Sequence, residues 1–253
     1  MKKLLHIFTV AVLSFTMSTY VFLGRAPSAY AAMPAFNAVS WGYPTAATGD
    51  FSCGTSDGND CRHTAAGDDR VVVVGIEVFD GVDDITSVTY DGNAMTLLVS
   101  SRIVVSAHAA VYYYLEDPPT TSNAVTRIQA SSNNDYRVVV YSLSGADYES
   151  NPVGGAATDT GAPDTALTLT VNTTGVNNCL LVGFAFSEDA GGLAAGADTT
   201  ERSGNAGYDE MYERAVVTGG SNAINITANS GNIGGIATAW CGSSVSSQVI
   251  IIE

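Results

Sequence analysis

Beyond Lys3 the sequence contains no lysine. This excludes the intramolecular Lys–Asn isopeptide crosslink that some surface-exposed β-domains use. Basic residues of either kind are scarce, ten Lys and Arg against 25 Asp and Glu, for a net charge of −15. So acidic a surface repels phosphate backbones and anionic headgroups, which argues against nucleic-acid partners and membrane-surface binding. Histidine occurs three times, and His6 falls in the apolar N-terminal stretch, so hydrolytic chemistry has only His63 and His108 to draw on. No Gly-x-Ser-x-Gly elbow accompanies them. Neither Cys-x-x-Cys nor Cys-x-x-Cys-His is present, which excludes dithiol redox and c-type haem attachment. No Pro/Ser-rich linker divides the chain, no repeat is apparent in it, and no apolar stripe of helical period exceeds two turns.

What is present begins with an export signal. Lys2 and Lys3 precede a largely apolar stretch that reaches Gly24, and Ala29-Tyr30-Ala31 is a small-x-small cleavage site. Cleavage after Ala31 predicts a signal peptide over residues 1–31 and a mature chain over 32–253. Loss of Lys2, Lys3 and Arg25 takes the net charge from −15 to −18. No second apolar span follows, so the mature chain is expected outside the membrane: secreted, at the cell surface or in the periplasm. The four cysteines suit an oxidising compartment. Their spacing does not suit a four-cysteine zinc site, and three disulfide connectivities are open.

Period-two patterning dominates. Leu167, Leu169 and Val171 alternate with Thr168 and Thr170, the mark of a half-buried strand; Ile224 and Ile226 alternate in the same way. Residues 71–74 and 180–186 are instead continuously apolar and predict strands buried on both faces. Asp91-Gly92 between two short β-type runs predicts a hairpin with a two-residue type I′ turn. A single longer strand is read over residues 103–115, ending at Asp117-Pro118-Pro119. The expectation is an all-β fold of about a dozen short strands, a two-sheet antiparallel β-sandwich or jelly roll forming one domain over 32–253. Within it Cys53 and Cys61 share one Gly- and Asp-rich loop. Cys179 begins one strand and Cys241 ends another, so antiparallel neighbours would join them. The predicted bonds are Cys53–Cys61 and Cys179–Cys241.

Five blocks occur in order: Val71-Val72-Val73-Val74-Gly75, Ile85 to Gly92, Ala110 to Leu115 before Pro118-Pro119, Val138 to Gly145, and Leu180-Leu181-Val182-Gly183. Together they resemble a secreted β-sandwich domain that recurs in bacterial surface and exported proteins. The resemblance implies a structural or binding module and carries no catalytic motif. The Cys53–Cys61 loop and residues 191–207 depart from its pattern and are where individual function is expected.

Candidate sites are few. Asp57, Asn59 and Asp60, and separately Asp80, Asp83 and Asp84, offer the hard oxygen ligands that calcium takes, without a complete EF-hand loop. Solvated acidic turns are the plainer reading of both clusters. Tyr112 and Tyr114 share one strand face and could form a sugar platform; core packing is the alternative, as it is for Trp41 and Trp240. Glu77 and Glu116 interrupt apolar strands and read as carboxylates facing solvent or an arginine. The functional expectation is a non-catalytic extracellular protein, structural or adhesive, at the cell surface or in an assembled matrix or filament. A carbohydrate-binding module, with calcium held by the loop carboxylates, is second, and a glycan-degrading enzyme third. The apolar run over 248–253 is a further expectation, either the last strand of its own sandwich or an edge donated to another copy.

Overall fold

The structure, a computed structural model, describes residues 32–45, 47–53, 61–98, 102–146, 153–161, 165–188, 192–202, 209–229 and 231–242. The predicted signal peptide, the 248–253 segment and Asp57, Asn59 and Asp60 lie outside the described residues.

Among the described residues there are eighteen strands and no helix. The first ten are Ala35–Gly42 (β1), Ala47–Ser52 (β2), Val71–Val78 (β3), Ile85–Tyr90 (β4), Asn93–Ala94 (β5), Thr96–Leu97 (β6), Ile103–Val105 (β7), His108–Glu116 (β8), Thr126–Asn134 (β9) and Tyr136–Ser144 (β10). Eight follow: Val153–Gly161 (β11), Ala166–Asn172 (β12), Cys179–Ser187 (β13), Ala194–Ala195 (β14), Thr200–Glu201 (β15), Asp209–Val216 (β16), Ser221–Thr227 (β17) and Ile233–Cys241 (β18).

All pairings are antiparallel, and they make four sheets. In the first half one sheet runs β1-β10-β3-β8-β6, with β7 also on β8, and its companion runs β2-β9-β4-β5. In the second half the orders are β11-β18-β13-β16-β15 and β12-β17-β14. The first pair of sheets has jelly-roll connectivity, and the second repeats it. β11, β12, β13 and β14 take the places of β1, β2, β3 and β4, while β16, β17 and β18 take those of β8, β9 and β10. The protein is therefore an internally duplicated jelly roll.

Strand patterning explains how the layers stack. On β3, Val72, Val74, Ile76 and Val78 face the companion sheet, meeting Val88, Tyr90 and Ile128. Val71 and Val73 face the other way, into a second apolar layer with Tyr112, Tyr141, Val182, Phe184, Phe186 and Trp240. A third layer joins Leu181, Ala185, Ala237 and Ala239 to Leu167, Leu169, Ile224 and Ile226. The large central sheets of the two jelly rolls thus pack on each other, each with its smaller sheet outside. β3, β13 and β18 are buried along their whole length, which is why they carry no alternation, whereas β9 and β12 alternate because one face meets water. Each fully buried Val, Ile or Leu in these layers contributes roughly 1.5–3 kcal/mol. Close approach of the central sheets depends on Gly75, since a Cβ there would come within 2.4 Å of the Phe184 side chain.

The all-β sandwich expectation holds, with more strands and more sheets than the pattern suggested. β5, β6, β14 and β15 are two residues long, too short for a period to register. The continuous strand read over 103–115 is a hairpin, β7 and β8, because Ser106 turns at a positive φ of 53°. The run after Asp91-Gly92 divides at Met95, a core residue, where the chain passes from one sheet of the first jelly roll to the other. The hairpin itself forms as predicted: Asp91 and Gly92 both take positive φ, 50° and 80°, and Tyr90 pairs with Asn93. Leu180-Leu181-Val182-Gly183 lies on β13, the counterpart of β3, so the resembling blocks run from the first jelly roll into the second.

Both predicted disulfides are present. Cys53–Cys61 closes a short loop beside β2, with Cα atoms 5.6 Å apart, and Cys179–Cys241 links directly opposed residues of β13 and β18. They fit an oxidising, extracellular-type environment.

Candidate functional site

The outer face of the β2-β9-β4-β5 sheet carries a polar groove. Alternation on β9 sends Thr126, Ile128 and Ala130 inward and Arg127 and Gln129 outward. Register then places these beside the outward residues of both neighbours. Arg127 lies between Ser52 and Thr89, and Gln129 lies between Asp50 and Ser87. Asp50, Ser87, Thr89, Gly92, Arg127 and Gln129 line a space of about 270 Å³.

The side chains of this groove are held by one another. Arg127 grips Asp50 with two parallel hydrogen bonds, Nε to Oδ1 at 3.0 Å and Nη2 to Oδ2 at 2.9 Å. Those bonds hold the Asp50 carboxyl below the usual carboxylate range. Ser87 Oγ donates to Gln129 Oε1 at 3.2 Å, so the amide nitrogen is the end that remains for a ligand. The face therefore offers hydroxyls, an amide and a neutralised ion pair, with donors and acceptors interleaved. Sequence reading missed it. Arg127 and Gln129 are recognisable as the polar side of an alternating strand, but their neighbours come from strands 38–79 residues away in the chain and are set by register.

A second polar cluster is enclosed between the two central sheets. Glu77 on β3 and Asp209 on β16 are fully buried, and both pair with Arg137. Arg137 donates to Glu77 at 3.2 Å and forms an ion pair with Asp209 at 3.2 Å; His108 Nδ1 contacts the other oxygen of Glu77. The Arg137 guanidinium also lies 4.4 Å from the centre of the Phe79 ring. Burial pushes the Glu77 carboxyl up to about 7, against the pull of Asp209 and Arg137. Burial, then the charge of Glu77, raises Asp209 well above the carboxylate range. Glu77 faces an arginine, as the sequence suggested; Asp209 was not singled out, because it arrives from the other jelly roll.

His63 is not part of a Ser-His-Asp arrangement. It is buried between two hydroxyls, Ser142 Oγ at 2.7 Å from Nε2 and Ser40 Oγ at 3.1 Å from Nδ1, and burial lowers its pKa to about 4. Neutral, it bridges the loop after Cys61 to β1 and β10.

The structure does bring Asp80, Asp83 and Asp84 together, between β3 and β4. Asp80 accepts from Val82 N at 2.9 Å and Asn134 Nδ2 at 2.7 Å. Asp83 accepts from Ile85 N at 3.1 Å and pairs with Arg102 at 2.5 Å. Asp84 Oδ2 gathers Ser132 Oγ at 2.6 Å, Tyr136 OH at 2.8 Å, and Ser132 N and Asn134 Nδ2, both at 3.2 Å. Asp80 and Asp84 thereby tie the β3–β4 loop to the β9–β10 hairpin, and Asp83 ties it to Arg102 before β7. Among the described residues no three His, Cys, Asp or Glu side chains are placed to hold a metal ion.

The tyrosine platform is corrected by burial. Tyr112 lies wholly inside the layer between the jelly rolls, its hydroxyl 3.0 Å from Thr238 Oγ1, so neither ring face is open to a ligand. Tyr114 is partly buried and packs edge-on against the buried Trp240, with centroids 5.5 Å apart. The glycan expectation therefore moves from these rings to the polar groove. Comparison with protein-family models and with curated proteins finds no match for this chain.

Proposed function

We propose that the protein is a non-catalytic extracellular module with a structural or adhesive role at the cell surface or in an assembled matrix. The observation that carries this reading is the back-to-back fusion of the two jelly rolls. Both central sheets are consumed as one buried layer, and ionic and hydroxyl contacts cross it: Arg137 to Asp209 at 3.2 Å, Tyr141 OH to Glu213 at 2.5 Å and Tyr112 to Thr238 at 3.0 Å. Two disulfides pin the body. A crosslinked, four-layer β body presenting polar outer faces suits a spacer or an attachment unit outside the cell.

The test is protease shaving and fractionation of the organism that encodes the chain, beside a strain lacking it. The expected result is protein on the cell surface or in an assembled extracellular fraction, with loss of attachment or matrix in the deletion strain. A protein found only free and monomeric in the medium, with attachment and matrix unchanged by the deletion, overturns the proposal.

A further inference from the structure

We infer that the groove on the outer sheet of the first jelly roll is a binding site for a neutral, polyhydroxylated chain, that is, a carbohydrate polymer. The inference rests on the adhesive reading above and names what would be held.

Geometry sets the scale. Adjacent strands lie about 4.8 Å apart and alternate residues along a strand about 6.8 Å apart. The rows Ser52–Arg127–Thr89 and Asp50–Gln129–Ser87 therefore form a grid of roughly 10 by 7 Å. Six polar side chains stand on that grid, donors beside acceptors, which matches a ligand whose every hydroxyl both donates and accepts.

Charge selects the class. Asp50 and Arg127 neutralise each other through two hydrogen bonds. An anionic chain would meet a protein of net charge −15 and find its one local cation already gripped. A cationic ligand would have to displace that guanidinium from Asp50. A neutral ligand leaves the pair intact and uses the lone pairs and N–H groups that the pair does not consume.

Order favours binding. Because Arg127 is tied to Asp50 and Gln129 to Ser87, these side chains lose less freedom when a ligand arrives. Gly92 keeps one end open, for a Cβ there would meet nothing within 4 Å, while its φ of 80° disfavours any other residue in the turn. The outer face of the second jelly roll serves as an internal control. Thr168 and Thr170 are exposed there on β12, opposite Asn225 and Ala223.

The experiment is affinity electrophoresis of the exported chain through gels containing dextran, galactomannan or mixed-linkage glucan, with polygalacturonate as the acidic probe. At least one neutral polysaccharide is expected to retard the protein. Q129A and D50N/R127Q should each weaken that retardation at least tenfold, and T168A/T170A should leave it unchanged. Each of three results overturns the inference: no retardation by any neutral polymer, retardation that survives both groove variants, or stronger retardation by polygalacturonate. Absence of retardation beside surface-dependent attachment ends the groove assignment alone. Groove-dependent retardation in a protein whose deletion changes neither attachment nor matrix ends the adhesive reading alone.

Discussion

The two jelly rolls share one connectivity and differ in what their layers carry. In the first, β3 and β8 bring Val71, Val73, Tyr112 and Tyr114 to the layer between the jelly rolls; in the second, β18 brings Gly234, Ile236 and Trp240, with Phe184 and Phe186 on β13. Large side chains on one side meet small ones on the other, as Gly75 meets Phe184. The outer faces differ more: an ion pair, an amide and hydroxyls on the first, and Thr168, Thr170 and Asn172 on the second. The disulfides differ too, one closing a loop beside an outer sheet and one joining two central strands. The central layers answer to each other's volume, whereas each outer face answers only to solvent or a ligand and is the freer to specialise.

If the halves are one cooperative body, the shared polar cluster should be the most sensitive point for both. Glu77→Ala leaves Arg137 and His108 facing an uncompensated buried site and is expected to cost about 3–5 kcal/mol. Denaturant unfolding followed by probes in each half should then shift as one transition; two separated transitions would show that the jelly rolls stand independently.

The disulfides sharpen the comparison. Loop entropy assigns about 4 kcal/mol to Cys179–Cys241, whose residues are 62 apart, and about 2.5 kcal/mol to Cys53–Cys61, 8 apart. Melting of C179A/C241A against C53A/C61A should preserve that order.

Two buried groups should pull stability in opposite directions with pH. Glu77 has a folded pKa of about 7, above its unfolded one, so its contribution is complete below about 4.5 and is lost as pH rises through about 7; Asp209, also raised, acts in the same direction. His63 is held at about 4, below its ordinary 6.5, so its contribution is complete above 6.5 and lost as pH falls toward 4. In urea titrations across this range, Glu77→Gln should reduce the alkaline decline, Glu77→Gln with Asp209→Asn should remove it, and both should leave the acid decline. If the alkaline decline persists in the double variant, the carboxyl pair is not its source.

Smaller effects belong to single contacts. Gly75→Ala should overpack the central layer by about 1–3 kcal/mol. Gly92→Ala, strained by its positive φ and touching nothing, should cost about 1 kcal/mol. Equal losses at the two positions would remove the distinction between a packed centre and a free outer turn.

Much of the local structure was legible beforehand. The unbroken apolar runs of β3 and β13 announced strands buried on both faces, the alternation of β12 and β17 announced half-buried ones, and Asp91-Gly92 announced its turn. These are short-range consequences of side-chain period and backbone sterics. The two cysteine pairs were readable for a related reason: one pair shares a loop, and the other sits where two antiparallel strands begin and end.

Partnership between distant strands was not legible. The duplication was hidden because jelly-roll connectivity constrains hydrogen-bond order and layer volume, which Val-rich and Ala/Gly-rich strands satisfy equally well. Tyr112 could have faced water or core on its pattern alone, and only the second jelly roll closing over it decided the matter. Asp209 meets Glu77, and Gln129 meets Asp50 and Ser87, through packing and register that no local window contains. Sequence by itself determined the all-β class, the buried and half-buried strands, the acidic surface and the disulfide pairs, because each follows from residue type and near neighbours. Tertiary structure alone decided the four-layer stack, the buried carboxylates that share Arg137 at its centre and the polar groove on its outer face, because these arise where separate strands meet.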